Sequence, residues 1–125
     1  MTTFERPQIE IPAGEPPAEL VTEDLEVGDG PEATAGVQVS VDYVGASWST
    51  GQEFDASWNR GQQFAFGLGA GQVIGGWDQG VQGMKVGGRR RLTIPPHLGY
   101  GASGAGGAIG PNETLVFVVD LRSIG

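Results

Sequence analysis

The chain has 125 residues, 38% of them hydrophobic, which suits one compact domain that buries roughly two thirds of the surface exposed by its unfolded chain. It has no cysteine and one histidine, which excludes thiol catalysis, disulfides and transition-metal sites, so we expect neither a metal nor a cofactor. Residues 1–35 hold nine acidic residues and one basic residue and so carry the whole net charge of −8, while the neutral remainder offers no electrostatic footprint for nucleic acid or an anionic membrane.

The acidic front of the chain is also rich in proline. Four of the eight prolines fall within residues 1–19, a composition typical of extended, polyproline-like or poorly ordered chain. We interpret this segment as a solvated arm and residues 20–125 as the folded domain. Because no apolar run has the length of a signal peptide or a membrane span, we expect the protein to act in the cytoplasm without a membrane partner.

From Leu20 onward the pattern becomes that of a sheet. Residues 20–27 are typical of an edge strand, and the glycines at 28–30 favour a turn. Valine and tyrosine alternate with polar residues over 37–44, which predicts a half-buried strand with Asp42 on its polar face. Further strands are predicted at 52–57, 63–68, 89–95 and 114–123.

One helix is predicted at 73–84, because its apolar residues recur at helical spacing. These residues are Ile74, Trp77, Val81 and Met84. Four glycines lie among them, although a glycine in a helix interior costs about 1 kcal/mol relative to alanine. We interpret the glycines as points where the helix approaches a sheet closely. Trp77 would then form either the apolar floor of a concavity or part of the core.

Five or six antiparallel strands with one short helix predict an α+β domain. Several separated motifs of the chain, taken in order, also resemble the FKBP family of peptidyl-prolyl cis/trans isomerases across roughly residues 20–125. They are VDYVG at 41–45, Phe54-Asp55, Val73-Ile74, Gly76-Trp77, Tyr100-Gly101 and the closing Leu-Val-Phe strand at 115–117.

The resemblance implies a half-barrel sheet wrapped around the short helix, with a proline-binding pocket between them. It assigns catalytic positions to Phe54, Asp55, Ile74, Trp77 and Tyr100. It assigns substrate-binding positions to Tyr43, Phe64, Val73, Ile109 and Phe117.

Within that pocket the resemblance makes Trp77 the floor, while the Ile74 amide and the Tyr100 hydroxyl hold the substrate's carbonyl groups. Asp55 would bond to its neighbours near the twisting amide. Two plainer interpretations stay open. Asp55 could serve only as an ion-pair partner of Arg60, and the aromatic residues on strands could be ordinary core.

The function implied is peptidyl-prolyl isomerisation in protein folding, with proline-containing peptides and unfolded proteins as substrates of a monomeric enzyme. The alternative is a binding module or chaperone for proline peptides or macrolides such as rapamycin or tacrolimus, with weak or incidental catalysis. The rim loop departs from the family pattern. It has small residues where relatives place larger ones, which predicts a looser rim; these residues are Ala105, Gly106, Ala108 and Gly110.

Overall fold

The computed structural model describes residues 6–105 and 109–124. Its six strands are β1 (Val21–Glu26), β2 (Gln38–Ser47), β3 (Glu53–Ala56), β4 (Phe64–Gly67), β5 (Arg89–Ile94) and β6 (Leu115–Ile124). The helix α1 spans Gly75–Gly80, and short 3₁₀ turns lie at Ser57–Asn59, Pro96–Leu98 and Gly101–Ser103. In this part of the chain no helix has the length and apolar character needed to cross a membrane.

The strands form one antiparallel sheet in the order β1-β5-β6-β2-β3, with β4 also paired to β2. One edge of β2 pairs with β6 along nearly its whole length, whereas the other edge is shared by β4 in its first half and β3 in its second. Residues 57–63 connect β3 to β4 outside the sheet, and Ser57 in this segment accepts the backbone N–H of Tyr43. The predicted α+β class and strand positions are confirmed.

The inner face of the sheet carries the core, as the alternation predicts. On β2, Val39, Val41 and Tyr43 join the main hydrophobic cluster. The prediction of a half-buried strand is wrong for Asp42, which is only 8% exposed. Its face of the strand is covered because the 3₁₀ turn after β3 places the hydroxyl of Ser57 against it.

The helix is much shorter than the 73–84 segment predicted from its apolar spacing. It ends at Gly80, and Gly83 follows with a left-handed φ of 90°. Arg90 donates hydrogen bonds to the carbonyl oxygens of Gly80 and Gln82 at 2.8 and 2.9 Å, which satisfies carbonyls that the ended helix leaves free. Met84 remains buried, but on a turn after the helix.

Glycines permit the close approach of α1 to the sheet. A Cβ at Gly76 would lie 2.5 Å from a side-chain carbon of Ile94, and a Cβ at Gly80 would lie 2.9 Å from one of Leu92. Both partners are on β5. The helix therefore packs its glycine face directly on β5. The side chain of Trp77, on the same helix, joins the hydrophobic core cluster.

The arm contacts the folded domain at some of its described residues. Arg6 pairs with Glu53 on β3 at 2.6 Å, and Pro7 is buried. Farther along, the Trp48 indole N–H donates to the carbonyl oxygen of Gly14 at 3.4 Å. These contacts hold the arm to the domain at a few points, while most of residues 6–19, including Pro12 and Pro16, are exposed.

Candidate active site

A cleft of about 560 Å³ opens between α1 and the concave face of the sheet. This volume lies within the range of small-molecule sites, roughly 300–1,000 Å³. The cleft is lined by Tyr43, Phe54, Asp55, Phe64, Gly71, Gln72, Val73, Ile74, Trp77, Tyr100 and Phe117.

Trp77 forms the floor of the cleft and is 4% exposed. Its ring meets Tyr43 at 4.9 Å and Phe117 at 5.3 Å between centroids, both edge to face, while Phe66 packs beside it at 5.6 Å. Edge-to-face contacts of this kind add about 0.5–1.5 kcal/mol each beyond burial. These ring contacts therefore hold the Trp77 side chain in place. Its indole N–H has no hydrogen-bond acceptor among the described residues.

A β-bulge brings two consecutive residues of β3 to the same cleft. Neighbouring residues on a regular strand point to opposite faces, yet Phe54 and Asp55 both line the cleft. In the pairing with β2, Gly45 faces Asp55 and Ala46 faces Glu53, so Phe54 is the extra residue. A bulge can re-aim a side chain in this way.

Asp55, Tyr43 and Arg60 form a hydrogen-bonded cluster at one wall of the cleft. The Tyr43 hydroxyl donates to Asp55 Oδ2 at 2.6 Å. Arg60 donates through Nη1 to Asp55 Oδ1 and through Nη2 to the Tyr43 oxygen, both at 2.7 Å. Its guanidinium carbon lies 5.7 Å from the Tyr43 ring centroid, within cation–π reach. The carboxylate is thereby held at the edge of an aromatic surface.

These contacts fix the protonation states of the cluster. Burial would raise the pKa of Asp55, but the hydrogen bonds from Tyr43 and Arg60 outweigh it and hold that pKa below its usual value. Burial raises the pKa of Tyr43, and its bond to Asp55 raises it further. At neutral pH the cluster therefore consists of an anionic Asp55, a neutral Tyr43 and a cationic Arg60.

The substitution Asp55→Asn is expected to remove part of the acid sensitivity of the fold. Because the folded pKa of Asp55 lies below the unfolded value of about 3.9, the carboxylate contributes stability that is present above that value and is lost as pH falls through the folded pKa. Urea unfolding of wild type and Asp55→Asn from about pH 7 to about pH 2 measures the stability that the carboxylate contributes. The difference in unfolding free energy between wild type and Asp55→Asn should become smaller as the pH falls. A difference that stays constant with pH would contradict the lowered pKa of Asp55.

Two polar groups stand at the cleft beyond this cluster. The Ile74 backbone N–H precedes the first turn of α1 and donates to no acceptor within residues 6–105 and 109–124. Tyr100, in the loop after β5, is 41% exposed. Both groups are free to bond to a ligand that lies over Trp77.

The structure brings nine of the ten sequence-predicted site residues together in the cleft. Ile109 instead is buried in the core, 6% exposed, and does not line it. The rim positions Gly106 and Ala108 lie outside the described residues, while Ala105 and Gly110 lie within them.

Sequence reasoning missed Gly71 and Gln72 among the lining residues. Gly71 has a left-handed φ of 75° and donates its N–H to Asp78 on α1 at 3.0 Å. The Gln72 side chain accepts the N–H of Gly67 at 2.8 Å. The loop 68–74 is thus tied to the helix and to β4, and no periodic sequence pattern signals such contacts.

Comparison with known proteins identifies close relatives. Residues 30–122 match the family described as FKBP-type peptidyl-prolyl cis-trans isomerase. An FK506-binding protein of Streptomyces anulatus is 63% identical over 98% of this chain and 99% of its own length. A probable FK506-binding protein of Corynebacterium glutamicum is 52% identical over 96% of this chain and 99% of its own length.

Solved structures show the same architecture. The crystal structure of AtFKBP13 is 40% identical and superposes with a TM-score of 0.78 over 85% of this chain and 93% of that one. FkpA from Escherichia coli is also 40% identical, with a TM-score of 0.76 over 84% of this chain and 47% of that one. The half-open sheet around a short helix is therefore shared with these proteins.

Proposed function

Since the chain belongs to the family of FKBP-type peptidyl-prolyl cis-trans isomerases, we propose that it accelerates X-Pro bond isomerisation in folding proteins, within the cleft over Trp77. The observation that carries this proposal is the cleft itself. It has a buried indole floor, aromatic walls and a few polar groups at its edges.

The reaction needs no covalent step. The planar amide resists twisting because rotation breaks its resonance, at a barrier of about 18–20 kcal/mol. The planar form is also strongly dipolar, and the twisted form is less so because nitrogen regains its lone pair. An apolar surface therefore disfavours the ground state relative to the twisted one, and each 1.4 kcal/mol of such difference is worth about tenfold in rate.

Each polar group at the cleft has a role in this proposal. The Ile74 N–H and the Tyr100 hydroxyl donate to carbonyl groups of the peptide and hold its proline ring over Trp77. The carboxylate of Asp55 lies beside the twisting amide and sets the local field. Serine, cysteine, lysine and histidine are absent from the lining that the structure describes, which fits a reaction without a nucleophile.

A second candidate is a binding module for macrolides or proline peptides. The names of the relatives favour it, since several are called FK506-binding proteins. The two candidates use the same cleft but differ in turnover. A binding module would form complexes with X-Pro peptides without changing the rate of cis–trans exchange.

The test is an isomerisation assay on X-Pro tetrapeptides that vary in the residue X, with wild type and Tyr100→Phe. Loss of one hydrogen bond to substrate is expected to lower kcat/KM roughly two- to tenfold, with little change in the unfolding free energy because Tyr100 is exposed. Tyr100 directly precedes a 3₁₀ turn. Circular dichroism spectra of wild type and Tyr100→Phe are therefore compared to detect any change in backbone structure. Equal rates for wild type and Tyr100→Phe would show that Tyr100 does not bind the substrate. If wild type accelerates the isomerisation of no peptide, the proposed isomerase function is wrong.

A further inference from the structure

Tyr43 is held at both of its ends by one short segment, residues 57–60. Its backbone N–H donates to Ser57 Oγ at 2.8 Å, and its phenol oxygen accepts from Arg60 Nη2 at 2.7 Å. Ser57 begins the 3₁₀ turn after β3, and Arg60 directly follows that turn. Any shift of this segment therefore moves both the tyrosine at the cleft wall and the arginine that holds Asp55.

The direction of each hydrogen bond at Ser57 follows from its single proton. Ser57 Oγ lies 2.8 Å from Asp42 Oδ1, and a carboxylate can only accept. Ser57 therefore donates its hydroxyl proton to the hydrogen bond with Asp42, and a lone pair of its oxygen accepts the Tyr43 N–H. Ser57 is 0% exposed and Asp42 is 8% exposed, so water does not compete for these bonds.

Arg122 on β6 completes the chain of contacts. Its Nε donates to the second oxygen of Asp42 at 2.8 Å, and its guanidinium carbon lies 5.4 Å from the Trp58 ring centroid. Asp42 also stands opposite Asp120 across the β2–β6 ladder, where like charges repel. A buried carboxylate beside another is costly unless cations and hydrogen bonds compensate it. Arg122 compensates Asp42, and Arg89 compensates Asp120 at 2.6 Å, so both carboxylates are fixed in position on the back of the cleft wall.

We propose that Arg122, Asp42 and Ser57 are positioning residues for the cleft, which hold residues 57–60 so that Tyr43 and Arg60 meet Asp55 in one geometry. None of the three lines the cleft. They act from the outer face of the sheet, through Trp58 and the backbone of Tyr43. The consequence for catalysis rests on the proposed isomerase function, whereas the consequence for the geometry of Tyr43 does not.

The chain has two tyrosines, so protein labelled with ¹³C at the tyrosine ζ carbon gives two NMR signals, assigned by Tyr43→Phe. Arg122→Gln and Ser57→Ala are expected to shift or broaden the Tyr43 signal and to leave the Tyr100 signal in place. Arg91→Gln is the matched control, because it also removes a guanidinium but one that pairs with Glu23 on β1. It should shift neither signal.

The same variants are then assayed on X-Pro peptides. Arg122→Gln and Ser57→Ala should lower kcat/KM roughly three- to tenfold, the scale of a small misplacement of binding groups, and Arg91→Gln should match wild type. If Ser57→Ala fails to fold, Arg122→Gln decides, since the Arg122 side chain is partly exposed. An unmoved Tyr43 signal in folded Arg122→Gln would overturn the proposal. If the Tyr43 signal shifts in Arg122→Gln but wild type does not accelerate isomerisation, only the proposed isomerase function is wrong.

Discussion

Replacing Trp77 by alanine is expected to lower the free energy of unfolding by about 3–5 kcal/mol, the range for removing a large aromatic side chain from a core. Trp77 is 4% exposed and contacts four aromatic rings, those of Tyr43, Phe64, Phe66 and Phe117. The alanine variant would leave a void beneath the cleft that these rings cannot fill. Chemical denaturation of the two proteins measures the loss, and a loss under about 1 kcal/mol would contradict the close packing described here.

A milder change at the same position separates stability from binding. Trp77→Phe keeps an aromatic ring and is expected to fold. We expect FK506 or rapamycin to change the fluorescence of wild type but not of Trp77→Phe, because Trp48 and Trp58 do not line the described cleft. Trp48→Phe is the matched control and should retain the change. An undiminished response in Trp77→Phe would place the ligand elsewhere.

The second large effect is expected for Gly76→Ala. An alanine Cβ at this position would lie 2.5–2.6 Å from three side-chain carbons of Ile94, so helix α1 must move off β5 or Ile94 must leave its rotamer. Overpacking of this kind costs about 1–3 kcal/mol. Because α1 carries Trp77, kcat/KM for X-Pro peptides should fall as well.

The neighbouring Gly75→Ala provides the control. It makes the same chemical change in the same helix, but its Cβ would meet a side-chain carbon of Leu98 at 3.1 Å and nothing else closer than 3.8 Å. Both variants gain the same helix propensity, so the difference between their unfolding free energies isolates the packing against Ile94. Equal stabilities would mean that the close approach of helix and sheet does not need a glycine at 76.

The long central strands β2 and β6 were predictable from sequence because each carries apolar residues at alternating positions. Val39 and Val41 on β2, like Leu115 and Phe117 on β6, lie in the core as their spacing predicts. The close approach of the helix to the sheet was also predictable from its glycines. Because glycine destabilises a helix relative to alanine, its presence indicates a compensating contact. Ile94 and Leu92 are the partners that the structure supplies.

What the sequence could not reveal depends on contacts between distant segments. Asp42 alternates with apolar residues as a solvent-facing residue would, and it is covered by the 3₁₀ turn that follows β3 together with Arg122 of β6. Phe54 and Asp55 reach one cleft because of a bulge, which has no signature at these residues. Gln72 enters the cleft lining from a loop fixed by side-chain bonds. Each of these features is set by tertiary packing, which local periodicity does not encode.

NMR exchange spectroscopy of a Leu-Pro tetrapeptide shows whether isomerisation takes place over Trp77. The rate of cis–trans exchange is measured with catalytic amounts of the protein, before and after FK506 is added to the point where Trp77 emission no longer changes. We expect the protein to accelerate exchange, and the exchange rate to return to the uncatalysed value once FK506 fills the cleft. Exchange that the protein does not accelerate, or that stays fast with the cleft occupied, would contradict it.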